Sequence, residues 1–537
     1  EQRPMHGDEA VHAVKFSELL EKGSYRYDPD EYHGPTLSYL TLIPAWLSSA
    51  QKLSDLSEFT LRIVPVFFGV CLVLLLLLLI DGLSWPAVVC AAVLTAVSPA
   101  FVFYSRYYIQ EMLLVCFTFG AITFGYRYTQ NKSIKWALLT ALSLGLMHAT
   151  KETSIIAFGS MLLAVLLMLL MRRRPLSLRG LRSRPRQSHP LRFRLLRSAR
   201  NDEREANRTN WVWHLSAAFV VAATVSALFY SSFLTNPVGI LDSVRTYSVY
   251  FSRAGQDGLH NHPWYYYLKM LIYFRVSAGP IWSEALIVIL AVVGFIVAIT
   301  RKGIAGVNFP LLRFIAFYTL IMTVLYSVIP YKTPWCMLGF LHGMILLAAI
   351  GAVAVIKLSP NILTRVLVCL LLLAASVQLT WQAYLGSYKF YADPRNPYVY
   401  AHPTKDVFTI AGRVKDIAVA GPDGLNTYVQ VICPDDDYWP LPWYLRTLSN
   451  VGWWDRVDEN VSAAPIIIAS PSVKSALMRK LYEQPPPGKR NLYVPLFDSY
   501  IELRPQVELL GFVTKELWDS YQQHQAQSIP LPTQTGR

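Results

Sequence analysis

Ten stretches of this chain are apolar for long enough to cross a bilayer, and that leaves few folds open to it. They run at about 60–80, 84–104, 111–128, 134–150, 153–171, 211–231, 281–300, 310–330, 335–357 and 361–384. Each approaches the roughly 17–25 residues that a helix needs to cover about 30 Å of hydrocarbon. Inside lipid every backbone N–H and C=O must be satisfied within the segment, so the spans are helices. With 53% of residues hydrophobic and 16% charged, the chain reads as a polytopic α-helical membrane protein, not a soluble enzyme. Its partners then start with the lipid bilayer.

The basic residues orient the spans. Arg127, Lys132 and Lys135, the loop 172–208, Arg301-Lys302, and Lys357 with Arg365 all fall on one side when every span is counted. That side is the cytoplasm. Outward lie the N-terminal residues 1–59, Tyr104–Gln110, Ala149–Thr153, the loop 232–280, Pro330–Pro334 and everything after Tyr384. The expected place is the cytoplasmic membrane, multi-pass, with the N-terminal loop and the C-terminal domain extracytoplasmic. Because Glu1 stands directly in an outward loop, a first helix ahead of it is expected, making eleven. The net charge of +14 does not imply a nucleic-acid partner. Thirteen Arg against three acids, about +10, sit in the loop 172–208, where the positive-inside rule accounts for them. That loop has no periodicity and reads as disordered. Six cysteines without C-x-x-C spacing read as small apolar residues, not metal ligands.

Carboxylates are scarce, so those beside the bilayer stand out. Met5-His6-Gly7-Asp8-Glu9-Ala10-Val11-His12 opens the outward loop, and Asp28-Pro29-Asp30-Glu31-Tyr32-His33-Gly34-Pro35 closes it. At a membrane surface Asp8 can act as a general base on a hydroxyl, or with Glu9 hold a divalent cation; the bland reading is a pair of first-turn helix charges. His6-x-Asp8-x-x-x-His12 matches no strong metal motif. Asp28 and its neighbours suit sugar hydroxyls or a plain turn. Residues 37–52, apolar at mixed spacing with Tyr39 and Trp46, predict a helix lying in the interface, because the stretch is too short to span and the polar residues 51–58 follow it. Residues 265–274 read as a second such helix, anchored by Trp264-Tyr265-Tyr266-Tyr267.

Other outward loops carry cations. Arg106, in Ser105-Arg106-Tyr107, can pair with a phosphate or with an acid, and Glu111 follows where a helix begins. Lys151-Glu152 occupies the next outward turn, either as a functional pair or as a mutual ion pair. His262, in His260-Asn261-His262-Pro263-Trp264, and Lys332, in Tyr331-Lys332-Thr333-Pro334-Trp335, complete the set; Lys332 either snorkels or meets a lipid-linked phosphate. Beyond residue 385 short strand-like runs at 426–433, 464–469, 491–494 and 508–513 alternate with helical patterns at 443–448 and 472–483. This predicts a small α/β domain. The acidic triplet Asp435-Asp436-Asp437 there reads as a cation or acceptor site, or as a solvated loop.

Taken together, these stretches resemble the GT-C membrane glycosyltransferases of the protein O-mannosyltransferase and aminoarabinose-transferase type. Asp8-Glu9-Ala10-Val11-His12 with His33-Gly34-Pro35 resembles that family's first outward loop, and Ser105-Arg106-Tyr107 with Glu111 resembles its Arg-Tyr motif. His262-Pro263-Trp264-Tyr265 and Tyr331-Lys332-Thr333-Pro334 are similar to its later loop motifs. The His-Gly-Asp-Glu-Ala-Val-His, Tyr-His-Gly-Pro-Thr, Ala-Thr-Lys-Glu-Thr and Tyr-Trp-Pro-Leu-Pro-Trp-Tyr set looks like the flippase-activity-associated subfamily. The resemblance implies an inverting transferase taking a sugar from a polyprenyl- or dolichyl-phosphate. Asp8 and Glu9 would be catalytic, while Arg106, Lys151 and Lys332 would neutralise the donor phosphate. His12, Asp28, His33, Glu111, Glu152 and His262 would orient the substrate or a metal, with Asp8 and Glu111 holding Mg or Mn if one takes part. A second reading is a non-enzymatic accessory to lipid-linked sugar translocation, or a structural subunit of a membrane complex. His-Gly-Pro in place of the family's His-Pro-Pro, and Asp435-Asp436-Asp437 where others carry a β-trefoil, leave the acceptor open among protein, lipid and glycan.

Overall fold

The computed structural model describes residues 3–30, 33–172, 211–254, 260–300, 306–486, 488 and 490–528. Most of the basic loop 172–208, and with it the expectation of disorder there, lies outside the described residues. The chain divides into two compact units: one of Ser24–Thr41 and Arg62–Lys389, the other of Glu1–Gly23, Leu42–Leu61 and Phe390–Arg537.

In the first unit, helices stand where the apolar runs predict them, and the chain is a multi-pass membrane protein. Glu58–Leu83, Ser154–Met171, Trp211–Tyr230, Phe309–Val328, Pro334–Leu358 and Ile362–Lys389 are each long and apolar enough to span. Glu111–Asn131, Ile134–His148 and Ala285–Thr300 lie on three further predicted runs. The stretch 84–104 is not one helix: it breaks at Ser98 into Trp85–Val97 and Pro99–Tyr104, because Pro99 cannot donate to the preceding turn. The helix Leu338–Leu358 is buried without a break from Phe340 to Ala354. Glycines let it approach Ala285–Thr300 backbone to backbone. A Cβ on Gly294 would stand 2.0 Å from the Leu347 carbonyl oxygen, and one on Gly351 2.0 Å from that of Leu290. Such small-residue seams drive helix association where lipid removes the hydrophobic contrast. By contrast Ile362–Tyr384 buries only Leu379, Gln382 and Ala383 and exposes Leu363, Leu370, Leu371 and Val377, as a lipid-facing surface requires.

Two short helices lie on the stretches expected to be helical at 37–52 and 265–274, the first ending at Leu47. Thr36–Leu47 exposes Ile43, Trp46 and Leu47, and Tyr266–Ile272 follows the exposed Trp264 and Tyr265. The sequence reading did not separate Gly239–Ala254 as a helix.

The second unit holds the small α/β domain. Strands β1 (Val429–Ile432), β2 (Val451–Trp454), β3 (Ile466–Ala469), β4 (Tyr493–Pro495) and β7 (Leu510–Thr514) form one sheet, ordered β2-β1-β3-β7-β4. β1 pairs parallel with β2 and β3, and β7 antiparallel with β3 and β4. Strands β5 (Glu502–Arg504) and β6 (Val507–Glu508) pair separately. β1 and β3 are buried at every residue; β3 is apolar throughout, as a strand covered on both faces requires, while β1 buries Gln430 among apolar neighbours. The helix Asp406–Ala420 covers one face with Val407, Ile410, Val414 and Ile417, at the spacing of an amphipathic helix.

Candidate functional site

Asp8 and Glu9 do not lie in a loop, as expected, but in the first turn of a helix, Gly7–Lys22. The N-terminus of that helix is closed by its own side chains. Asp8 N–H donates to His6 Nδ1 at 3.0 Å, and His6 N–H donates to Glu9 Oε2 at 3.0 Å. This is a capping box with histidine at the cap position. His6 Nε2–H donates to the Tyr400 carbonyl at 2.9 Å, which fixes the neutral tautomer; burial holds this imidazole below the usual histidine value against the pull of Asp8 and Glu9. Arg3 grips Glu9 with both terminal nitrogens, at 2.9 and 3.0 Å, and both side chains are buried. The carboxylates thus part in environment. Glu9 is buried and engaged at both oxygens, whereas the Asp8 side chain is 50% exposed and stands 3.8 Å from His6 Nδ1. His12, one turn further on, is half-buried. Met5 N–H donates to Tyr444 Oη at 2.7 Å, and Trp443 donates to Glu58 at 3.0 Å with Arg446 stacked 3.8 Å over its ring. The Trp-Pro-Leu-Pro-Trp-Tyr motif therefore anchors the segment that carries Asp8.

The acidic triplet lies after β1. Asp437 pairs with Arg504, and Asp436 accepts from Tyr438 Oη at 2.8 Å. Asp435 N–H donates to Asp455 at 3.1 Å.

In the membrane unit a second constellation gathers motifs far apart in sequence. Glu152 is buried and accepts from Tyr27 Oη at 3.1 Å and from His33 Nδ1–H at 2.8 Å. Burial, the largest influence, raises this carboxyl, but His33, a backbone hydrogen bond and Lys151 together hold Glu152 below the usual glutamate value. Beside it Lys151 is buried in an ion pair with Glu111. Burial would lower the ammonium, yet Glu111 keeps it above the usual lysine value. The Gly34-Pro35 turn brings these together. Thr36 N–H donates to the Ala149 carbonyl at 3.3 Å and Thr36 Oγ1–H to Thr150 at 2.8 Å. A Cβ on Gly34 would fall 2.3 Å from the Ala149 oxygen, so only glycine permits this approach.

The remaining predicted residues have contacts of their own. Lys332 is buried, and its ammonium donates to the His262 carbonyl at 3.1 Å and to that of Ile329; burial lowers its pKa. Backbone pairing of Asn261 with Tyr331 joins these two loop motifs into one piece, and the His262 ring stacks on Tyr266 at 4.2 Å. Arg106, partly exposed, donates to the Val102 carbonyl at 3.4 Å and lies 5.7 Å from the Tyr388 ring centre. Asp28 accepts from Asp30 N–H at 2.9 Å in a turn. Among the described residues no group of three or more His, Cys, Asp or Glu side chains is placed to hold a metal ion. Of the two carboxylates expected to hold Mg or Mn, Glu111 gives one oxygen to Lys151 and Asp8 stands beside His6.

Sequence reasoning passed over Arg3, Glu284 and His342. Glu284 is fully buried and accepts from Ser98 Oγ at 2.5 Å and Ala100 N–H at 3.1 Å, securing the break in the 84–104 stretch. An ionisable residue inside an apolar run was the available signal for Glu284 and His342.

Comparison with known proteins follows this geometry. Residues 41–181 match the family described as dolichyl-phosphate-mannose-protein mannosyltransferase. No curated protein matches the chain in sequence. Among solved structures it is similar to ArnT from Cupriavidus metallidurans in the apo state, with a TM-score of 0.60 and 13% identity, covering 95% of this chain and 94% of that one. The same ArnT bound to undecaprenyl phosphate matches with a TM-score of 0.57, 14% identity and the same coverages. An apo oligosaccharyltransferase from Archaeoglobus fulgidus matches at 0.50 and 14% identity, over 84% of this chain and 61% of that one. At such identities the likeness is one of fold, and the fold is that of the GT-C glycosyltransferases.

Proposed function

We propose that this GT-C-folded chain is a glycosyltransferase that moves a sugar from a polyprenyl-phosphate donor to an acceptor at the outer face of the membrane. The observation that carries the reading is the sorting of the acidic pair: Glu9 is buried in a bidentate pair with Arg3, which leaves Asp8 half-exposed on a fixed helix turn. A general base must reach the proton it removes and be held where it reaches it. Asp8 meets both conditions; Glu9 acts through the helix it caps and is a positioning residue.

In the reaction, Asp8 takes the proton from an acceptor hydroxyl as its oxygen attacks the anomeric carbon. The bond from that carbon to the phosphate oxygen breaks on the opposite face, so configuration inverts, and polyprenyl phosphate departs with the bonding electrons. Cations stabilise the charge that builds on the departing phosphate. Arg106, as the partly exposed cation among the three candidates, makes direct phosphate contact. Lys151, held ionic by Glu111, and Lys332, held over carbonyl oxygens, contribute their field from buried positions. His33, oriented by Glu152, contacts the donor. ArnT was solved with undecaprenyl phosphate, which supports a polyprenyl-phosphate donor here.

The test is transfer of radiolabelled sugar from a panel of polyprenyl-phosphate sugars in membranes carrying the parent or Asp8→Asn. Turnover by the parent and a loss of several hundred-fold or more in the variant is the expected result, on the order of what general bases supply. Equal turnover in both removes Asp8 from the role. Labelled lipid that binds without turning over favours the accessory reading.

A further inference from the structure

The membrane unit holds polar atoms that its own side chains leave unanswered. Glu111 gives one oxygen to Lys151, but its Oε2 is buried without a hydrogen-bond partner among the described residues, and so are Tyr318 Oη and His342 Nε2. Each of these residues is at most 5% exposed. Leaving such a group dry is costly, more so when it is charged, and most buried polar groups are satisfied by protein or by ordered water.

These residues line two adjoining cavities. One cavity of about 20 Å³ is bounded by Glu111, Tyr318, Trp335 and Gly339. A second, of about 10 Å³, is bounded by Tyr318, Gly339, Phe119 and His342. Val115, Thr118, Tyr318 and Gly339 border both, so the two adjoin along one side of the helix Glu111–Asn131. His342 lies at the inner end, its ring 4.5 Å from Phe119 and 5.9 Å from Phe101. Phe119 stands eight residues beyond Glu111, about 12 Å along the helix. Size selects the occupant. A cavity of roughly 10–15 Å³ on this measure holds one water, and a sugar, a phosphate or an isoprenoid needs far more. Charge agrees, because Lys151 already neutralises Glu111 and nothing in the space calls for a cation.

We infer that this space is a hydration site, in which ordered water joins Glu111 Oε2 through Tyr318 to His342. The water solvates the second oxygen of the Glu111–Lys151 pair from within the bundle and so holds Lys151 in place. Tyr318 and His342 are thereby positioning residues for the donor-phosphate field. That last step rests on the transferase reading; the hydration itself does not.

Hydroxyl-radical footprinting of the full chain in nanodiscs reads the water directly, since radicals form from water bound beside a side chain. Tyr318 and His342 are expected to label well above Phe340 and Tyr267, which are as buried. Tyr318→Phe, which removes one oxygen, is expected to lower labelling at His342. Labelling at the level of Phe340 overturns the site. In transfer assays Tyr318→Phe and His342→Leu are expected to raise donor KM about tenfold, the worth of a hydrogen bond to a charged group, with acceptor KM unchanged. Strong labelling with unchanged donor KM overturns the coupling to Lys151. Absence of turnover in the parent refutes the transferase reading and leaves the footprint to decide the water.

Discussion

Replacing Glu9 by Gln tests whether the acidic pair divides into one residue for structure and one for chemistry. The side chains of Arg3 and Glu9 are 3% and 0% exposed and meet through two bonds of 2.9 and 3.0 Å. Removing one charge from a buried pair costs about 3–5 kcal/mol, because the other stays out of water uncompensated. Gln keeps one oxygen for the His6 N–H, so the lower end, about 3 kcal/mol, applies. At about 1.4 kcal/mol per decade, opening of the helix Gly7–Lys22 rises about a hundredfold. Hydrogen exchange of amides Ala10 to Leu19, followed by mass spectrometry on the full chain, reads this change. Asp8→Asn is expected to leave the same amides protected. The double variant Arg3→Met with Glu9→Gln is expected to regain most of the protection, since it keeps an acceptor for the His6 N–H and leaves no buried charge unpaired. Unchanged exchange in Glu9→Gln, with transfer lost as fully as in Asp8→Asn, refutes the division and makes Glu9 a chemical participant.

Four further outcomes follow from the membrane unit. Gly34→Ala places a Cβ 2.3 Å from the Ala149 oxygen, so the turn carrying Lys151 and Glu152 must shift; donor KM is expected to rise and stability to fall by about 1–3 kcal/mol. Gly351→Ala separates two helices at a 2.0 Å contact while Gly159→Ala meets nothing within 4 Å, so only the first is expected to lower the yield of folded protein on detergent extraction. Glu284→Ala leaves Ser98 and Ala100 without their acceptor; the short helix leading to Arg106 loosens, and exchange at 98–106 is expected to rise. Glu152 is held below the usual glutamate value, so its contribution is present above that value and disappears as pH falls through the depressed one. Exchange in residues 24–41, corrected for intrinsic rate, is therefore expected to stay level from about pH 7 to pH 5 and to rise only below about 4. Glu152→Gln is expected to abolish that acid step.

The parts of the fold that showed in the sequence are those whose signal is local. A run such as Ile466-Ile467-Ile468 is buried on both faces and can hardly be anything but strand or span; its length and the polar flanks decide. The spans are legible for the same reason. β2, Val451-Gly452-Trp453-Trp454, is half-buried throughout and short, and with a glycine inside it has no alternation to read. The helix Gly7–Lys22 hid behind its cap. Histidine is an uncommon N-cap, so a stretch rich in imidazoles and acids read as a loop although Glu9 stands where a capping box requires it. The cluster of His33, Glu152, Lys151 and Glu111 showed as separate motifs, and their pairing did not. Sequence separations of 119 residues for His33–Glu152 and 40 for Lys151–Glu111 carry no periodic trace.

Burial then decides what each charged side chain can do, more firmly than residue type does. Glu9, Glu111, Glu152 and Glu284 are all at most 5% exposed, and each is met by a cation or by donated hydrogen bonds. A carboxylate held that way cannot take up a substrate proton without giving up the contacts that make its burial tolerable. Lys151 and Lys332 are limited likewise by Glu111 and by backbone carbonyls. Such groups set the geometry and the field of a site, and preorganised charge of that kind stabilises a departing phosphate without reorganising during the reaction. Proton transfer needs the opposite arrangement, a carboxylate that is held yet reachable. Asp8, fixed through its backbone by His6 and half-open at its side chain, has surroundings that suit that task.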